Sequence, residues 1–255
     1  MNPSCAQPVL LHGSGLAPSH TGERLIVALD FADAKTALDL VDRLEGAVCW
    51  FKVGLELYVA EGNPLIAELQ RRGFSVFLDL KLHDIPNTVA SAVRSVARLG
   101  VNLLTVHAAG GPSMLTAAAE AASETEAGPA LLAVTVLTSM DGAELQATGV
   151  SATPTLQVEK LASMAIACGV QGLVCPAAEV AALRSRLGSK PLLVIPGIRP
   201  DGAPTEDQRR VATPAVAIAS GASYLVVGRP ITRAVDPGAA ARAVLAEMHS
   251  AIPIA

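Results

Sequence analysis

A chain of 255 residues with 51% hydrophobic content carries enough apolar side chains to bury a full core, as one large domain or two small ones. A formal net charge of −4 and 3% aromatic content exclude the basic, aromatic-studded surface of a nucleic-acid binder. No run approaches the ~20 consecutive apolar residues that span a bilayer, so no membrane role is expected. Residues 1–22, MNPSCAQPVLLHGSGLAPSHTG, lack the basic start and sustained apolar stretch of a signal peptide. They read as a flexible extension, leaving 23–255 as the folded part and the cytoplasm as the expected location. Cys5, Cys49, Cys168 and Cys175 show no CxxC spacing and read as reduced thiols.

In chain order, apolar runs of strand length are RLIVALD (24–30), VCWFKVGL (48–55), FSVFLDLK (74–81) and VNLLTVHAA (101–109). ALLAVTVLTS (130–139), VQGLVCPA (170–177), PLLVIPGI (191–198) and ASYLVVGR (222–229) follow. Ala-rich stretches of helical periodicity lie between most of them, for example DAKTALDLVDRLEG and NTVASAVRSVARLG, each closed by glycine at the expected stop. Strands that are apolar on both faces suit a parallel sheet covered by helices. Eight βα units in about 250 residues predict a single-domain α/β fold, the (β/α)8 TIM barrel. An open doubly wound sheet is less favoured because no GxGxxG follows the first strand.

Active sites of such barrels lie at the C-terminal strand ends, and polar residues gather there in this chain. Asp30 ends the first run, Lys52 lies late in the second, Asp79 and Lys81 end the third, and His107 ends the fourth. Thr138 and Ser139 end the fifth, Arg199 follows the seventh and Arg229 the eighth. The bland explanation of one Asp/Lys pair is a structural ion pair. Polar groups ending so many apolar strands are poorly explained by packing alone.

Strand parity puts Asp79, Lys81 and His83 on one face and leaves Asp84 off it. Any role of Asp84 must therefore be played from the loop or toward a different site. Carboxylates beside a lysine favour its ammonium form, which suits a fixed cation or proton donor better than a Schiff-base amine. Loops after strands 7 and 8 commonly bind phosphate, and here they carry Arg199, Arg229 and the permissive Gly228. Either arginine alone would read as a solvated surface charge; together they predict a phosphate-ester ligand. His83, His107, Asp79 and Asp84 lack metal-ligand spacing, and Lys81 would sit among them, so no metal is expected. Thr138 and Ser139 have no triad partners and read as hydrogen-bond donors to a ligand.

The segment LDLKLHDIPNT resembles the DxKxxD signature of the orotidine 5'-monophosphate decarboxylase family. VALD, FKVGLEL, VTVLTSM, PGIRP, EDQRR and VVGRPI are similar to further family segments, in family order, from about residue 24 onward. Magnesium-dependent barrels acting on sugar phosphates share DxKxxD, but are expected to carry an acidic residue where this chain has Lys52. Leu82, Glu206 and Ile195 depart from the usual family residues without touching a proposed charge.

The resemblance implies cofactor-free decarboxylation of orotidine 5'-monophosphate to uridine 5'-monophosphate, the last step of de novo pyrimidine nucleotide synthesis. It implies Lys81 as cation and proton donor, Asp79 beside the substrate carboxylate, and Lys52 and Asp30 at the ribose. Thr138, Ser139 and Ile85 would border the pyrimidine, with Thr88 of IPNT among the substrate-binding residues. Gln208, Arg199 and Arg229 would hold the phosphate, next to Gly228, under a loop spanning 199–210. It also implies a homodimer in which Asp84 enters the partner's site. The rivals are a magnesium-dependent sugar-phosphate decarboxylase or aldolase on the same barrel, and a barrel that only binds nucleotides.

Overall fold

The computed structural model describes residues 21–126, 128–200 and 212–251. A 3-10 turn, Thr21–Arg24, leads into β1 (Leu25–Leu29), α1 (Ala34–Arg43), β2 (Trp50–Gly54), α2 (Leu55–Glu61) and α3 (Asn63–Arg71). β3 (Ser75–Leu82), α4 (Pro86–Ala97), β4 (Leu103–His107), α5 (Gly111–Ser123) and β5 (Ala130–Val134) follow. Next come α6 (Gly142–Ala147), α7 (Pro154–Ala167), β6 (Gly172–Val174), α8 (Val180–Leu187) and β7 (Leu192–Ile195). The chain continues through α9 (Pro214–Ala219), β8 (Tyr224–Val227), α10 (Arg229–Thr232) and α11 (Pro237–Ser250). The eight strands run parallel and close in sequence order, β1 pairing with β8 through Leu25 and Leu225. The expected barrel is what the chain forms.

Two apolar sets, alternating along each strand, produce it. Ile26, Ala28, Trp50, Phe77, Leu103 and Tyr224 belong to the cluster that fills the barrel, where the Trp50 and Tyr224 rings pack with centroids 5.2 Å apart. Their sequence neighbours Val27, Phe51, Val76, Leu104 and Leu225 belong to the larger cluster between sheet and helices. Helix starts are written locally. The Asp33 side chain accepts from Thr36 N–H ahead of α1, Thr153 and Asp236 do the same for α7 and α11, and α4, α7, α9 and α11 open on proline.

Three expectations need correction or fall outside the description. β5 stops at Val134, so Thr138 and Ser139 lie in the turn beyond it rather than at a strand end. Cys168 and Cys175 are free thiols, but Cys49 is disulfide-bonded, which corrects the reading of four reduced cysteines. The proposed extension lies outside the described residues except for Thr21 and Gly22, which belong to the 3-10 turn. Among the described residues no helix is long and apolar enough to cross a membrane.

Candidate active site

Continuing the inward parity of each strand toward its C-terminal end leads from Ala28 to Asp30, from Trp50 to Lys52, from Phe77 to Asp79 and from Leu103 to Thr105. The barrel interior thus changes from apolar to charged at its mouth. Lys52 Nζ donates to Asp30 Oδ1 at 2.9 Å and lies 3.7 Å from Asp79 Oδ2. Lys81 Nζ donates to both oxygens of Asp79 at 2.9 Å. The four groups form a row of alternating charge, Asp30, Lys52, Asp79, Lys81. Its inner members are well shielded, with 11% of the Lys52 and 13% of the Asp79 side chain exposed, against 32% for Lys81.

Thr105 completes the row and was not singled out from the sequence. Its hydroxyl, with no exposed surface, donates to Asp79 Oδ1 at 3.0 Å and accepts the Lys81 backbone N–H at 2.8 Å. Lys81 itself sits at φ 51°, in the left-handed region. Pairing of β3 with β4 slips there, from Leu78 opposite Leu104 to Leu82 opposite Val106. This irregularity corrects the simple parity argument. Asp79 and Lys81 do converge, but His83 turns away to stack on His107, ring centroids 5.2 Å apart. Burial, with the charges of His83 and Lys81, pushes His107 below the usual histidine range, and its Nδ1 accepts from Ala109 N–H.

Two adjoining cavities open at the mouth. One is lined by Lys52, Asp79 and Lys81 together with Val134, Val136 and Thr138. Cys175 also lines it, but burial pushes that thiol far up, so it offers no thiolate nucleophile. The second is lined by Asp30, Lys52, Gly197, Arg199, Gly228 and Arg229. Lys52 belongs to both, so the charge row joins an apolar-walled cleft to an arginine pocket. Arg199 is 7% exposed and donates to its neighbour's carbonyl, Ile198 O.

Other expected residues lie elsewhere. Ser139 is exposed in its turn and does not line either cavity. Asp84, Ile85 and Thr88 face solvent at the start of α4, Ile85 with 66% of its surface exposed, and the Asp84 carboxylate accepts from Ile85 N–H. Gln208 and most of the 199–210 loop fall outside the described residues. Among the described residues no three His, Cys, Asp or Glu side chains gather as a metal-ligand set.

Residues 23–244 match the model of the orotidine 5'-phosphate decarboxylase / HUMPS family. The orotidine 5'-phosphate decarboxylase of Sodalis glossinidius is 48% identical over 242 residues, 94% of this chain and 96% of that protein. The protein of that name from Halorhodospira halophila is 52% identical over 228 residues, 89% of this chain and 97% of its own. The crystal structure of orotidine 5'-phosphate decarboxylase from Lactobacillus acidophilus superposes with a TM-score of 0.79 at 38% identity, covering 89% of this chain and 99% of that one. Barrel, charge row and likeness along almost the whole length agree: the chain belongs to the orotidine 5'-phosphate decarboxylase / HUMPS family.

Proposed function

We propose that this chain decarboxylates orotidine 5'-monophosphate to uridine 5'-monophosphate and carbon dioxide without a metal or organic cofactor. The observation that carries the reading is the Lys81 ammonium held by both Asp79 oxygens beside a cleft that runs into an arginine pocket. Arg199 and Arg229 would grip the phosphate, next to Gly228 and with Gln208 from the neighbouring loop. Asp30 and Lys52 would bind the ribose hydroxyls. The pyrimidine would then enter the cleft past Thr138, its carboxylate beside Asp79.

The bond from carbon 6 to the carboxyl group breaks and its electron pair stays on carbon 6, where the ring cannot delocalise it. A fixed ammonium offsets that charge where it develops, and Lys81 then gives carbon 6 its proton and regains one from water. Asp79 beside the substrate carboxylate is a like-charge contact that ends when carbon dioxide leaves. Phosphate binding far from the reacting bond can drive closure of the loop and so contribute to the rate.

The reading extends to a homodimer in the cytoplasm. Asp84, Ile85 and Thr88 are exposed and line neither cavity of their own chain, as residues serving the partner's site would. Ser139 remains a proposed pyrimidine contact that substrate would have to draw inward.

Lys81→Ala tests the assignment. The variant should fold and bind uridine 5'-monophosphate, yet lose decarboxylation followed by the ultraviolet change of the orotate chromophore. Retention of more than about a tenth of wild-type kcat, a loss under ~1.4 kcal/mol, would show that Lys81 is not the catalytic cation. Running the wild type in excess chelator separates this reaction from magnesium-dependent sugar-phosphate chemistry.

A further inference from the structure

The geometry points to Thr105 as a positioning residue that sets the Asp79–Lys81 pair through a single hydroxyl, an inference that rests on the reading of Lys81 and Asp79 as the reacting groups. Between Leu78 and Leu82, β3 advances four residues while β4 advances two, from Leu104 to Val106. A slip of this kind removes regular ladder partners from the backbone groups inside it. Lys81 lies within that stretch with φ at 51°, a conformation side-chain-bearing residues avoid. The Lys81 N–H finds its acceptor in Thr105 Oγ1 at 2.8 Å instead.

The same oxygen donates to Asp79 Oδ1 at 3.0 Å. The direction of both bonds is forced. A backbone N–H only donates and a carboxylate only accepts, so the one hydroxyl proton must point to Asp79 while a lone pair receives Lys81. One atom on β4 therefore fixes both the carboxylate that holds the ammonium and the backbone from which the ammonium hangs. Thr105 has no exposed surface, so water has no direct access to replace the hydroxyl.

A threonine that merely fills space would be replaceable by valine, which has nearly the same shape and keeps the β-branch. The experiment compares Thr105→Val and Thr105→Ser for kcat and KM with orotidine 5'-monophosphate, for uridine 5'-monophosphate affinity, and for Tm. Valine should lower kcat on the order of 10²-fold, because the reacting groups lose their register, while KM and product affinity change less than about threefold. Serine, which keeps the hydroxyl, should stay within about fivefold of wild type. Valine retaining kcat within about threefold, with or without a lower Tm, would overturn the inference. So would serine as slow as valine, since the methyl group and not the hydroxyl would then matter. If the valine chain fails to fold, Thr105→Ala takes its place, and a serine-to-alanine kcat ratio near one is the overturning result. Lys81→Ala measured alongside separates the two levels. An inactive Lys81→Ala with a fully active Thr105→Val defeats only the role of Thr105, whereas an active Lys81→Ala defeats the reading beneath it.

Discussion

Lys81 occupies a backbone conformation that costs a residue with a Cβ roughly 1–2 kcal/mol and glycine almost nothing. The fold and the reaction thus pull position 81 in opposite directions. Glycine would relieve the backbone, and only lysine places an ammonium 2.9 Å from both Asp79 oxygens. Comparing two inactive variants isolates the backbone contribution, because Lys81→Gly and Lys81→Ala lose the same ion pair. Lys81→Gly should be the more stable by up to about 1 kcal/mol, the unfolded-state entropy of glycine offsetting part of the relief. Urea unfolding midpoints at equal m-value measure it, and a glycine variant no more stable than the alanine one would show that the φ of 51° stores no strain. Nothing in the string LDLKLHD announces this conformation. Local sequence specifies a strand there, and only pairing against β4 forces the slip.

β2 shows how an element can be legible in outline and opaque in detail. Its apolar run and the lysine late within it were readable from WFKVG, while the inward aim of Lys52 follows from Trp50 two residues earlier, which packs inside the barrel. Gly54 ends β2 and precedes α2. Its backbone is extended, with φ −95° and ψ −176°, so conformation does not demand glycine. Space does: a Cβ there would lie 2.8 Å from Lys52 Nζ and 3.5 Å from Asp30 Oδ1. The clash falls on the tip of a flexible side chain, so Gly54→Ala should fold with a Tm within a few degrees of wild type while pushing the ammonium off Asp30. Activity should then fall about 10- to 100-fold in kcat/KM. Unchanged kinetics would mean that the Lys52–Asp30 contact is dispensable. Thr105 was illegible for a related reason. A threonine within LLTVH reads as ordinary strand propensity, and its importance appears only when Asp79 and the Lys81 amide arrive from the neighbouring strand. The same β-preferring composition in TVLTS hid the end of β5 at Val134, because propensity does not say where a strand leaves the sheet.

At the scale of the molecule, Asp84 and Ile85 just ahead of α4 and Thr88 in its first turn are exposed to solvent, although all three were expected at a substrate. A two-fold dimer would repeat every contact and give each site Lys81 from one chain and the partner's Asp84. Mixing inactive Lys81→Ala and Asp84→Ala chains tests this, because one site of the mixed dimer collects both lesions and the other neither. Random pairing should restore about a quarter of wild-type activity. Demonstrated mixed dimers no more active than their parents would sink the shared site and leave the barrel untouched. The closure of that barrel also has a consequence in time. β1 pairs with β8 across roughly 200 residues of sequence, and the arginine pocket takes Asp30 from just after the first strand and Arg229 from just after the last. A ribosome adding about 5–20 residues per second needs roughly 10–40 seconds to travel between them. Throughout that interval the growing chain already holds Asp30, and then Lys52, Asp79 and Lys81, but has no strand to seal its first edge and no Arg229 to complete the pocket. The charged row is therefore synthesised early and becomes part of a closed site only when the last strand emerges, so a chain released before β8 leaves the first strand's edge open to pairing with other chains.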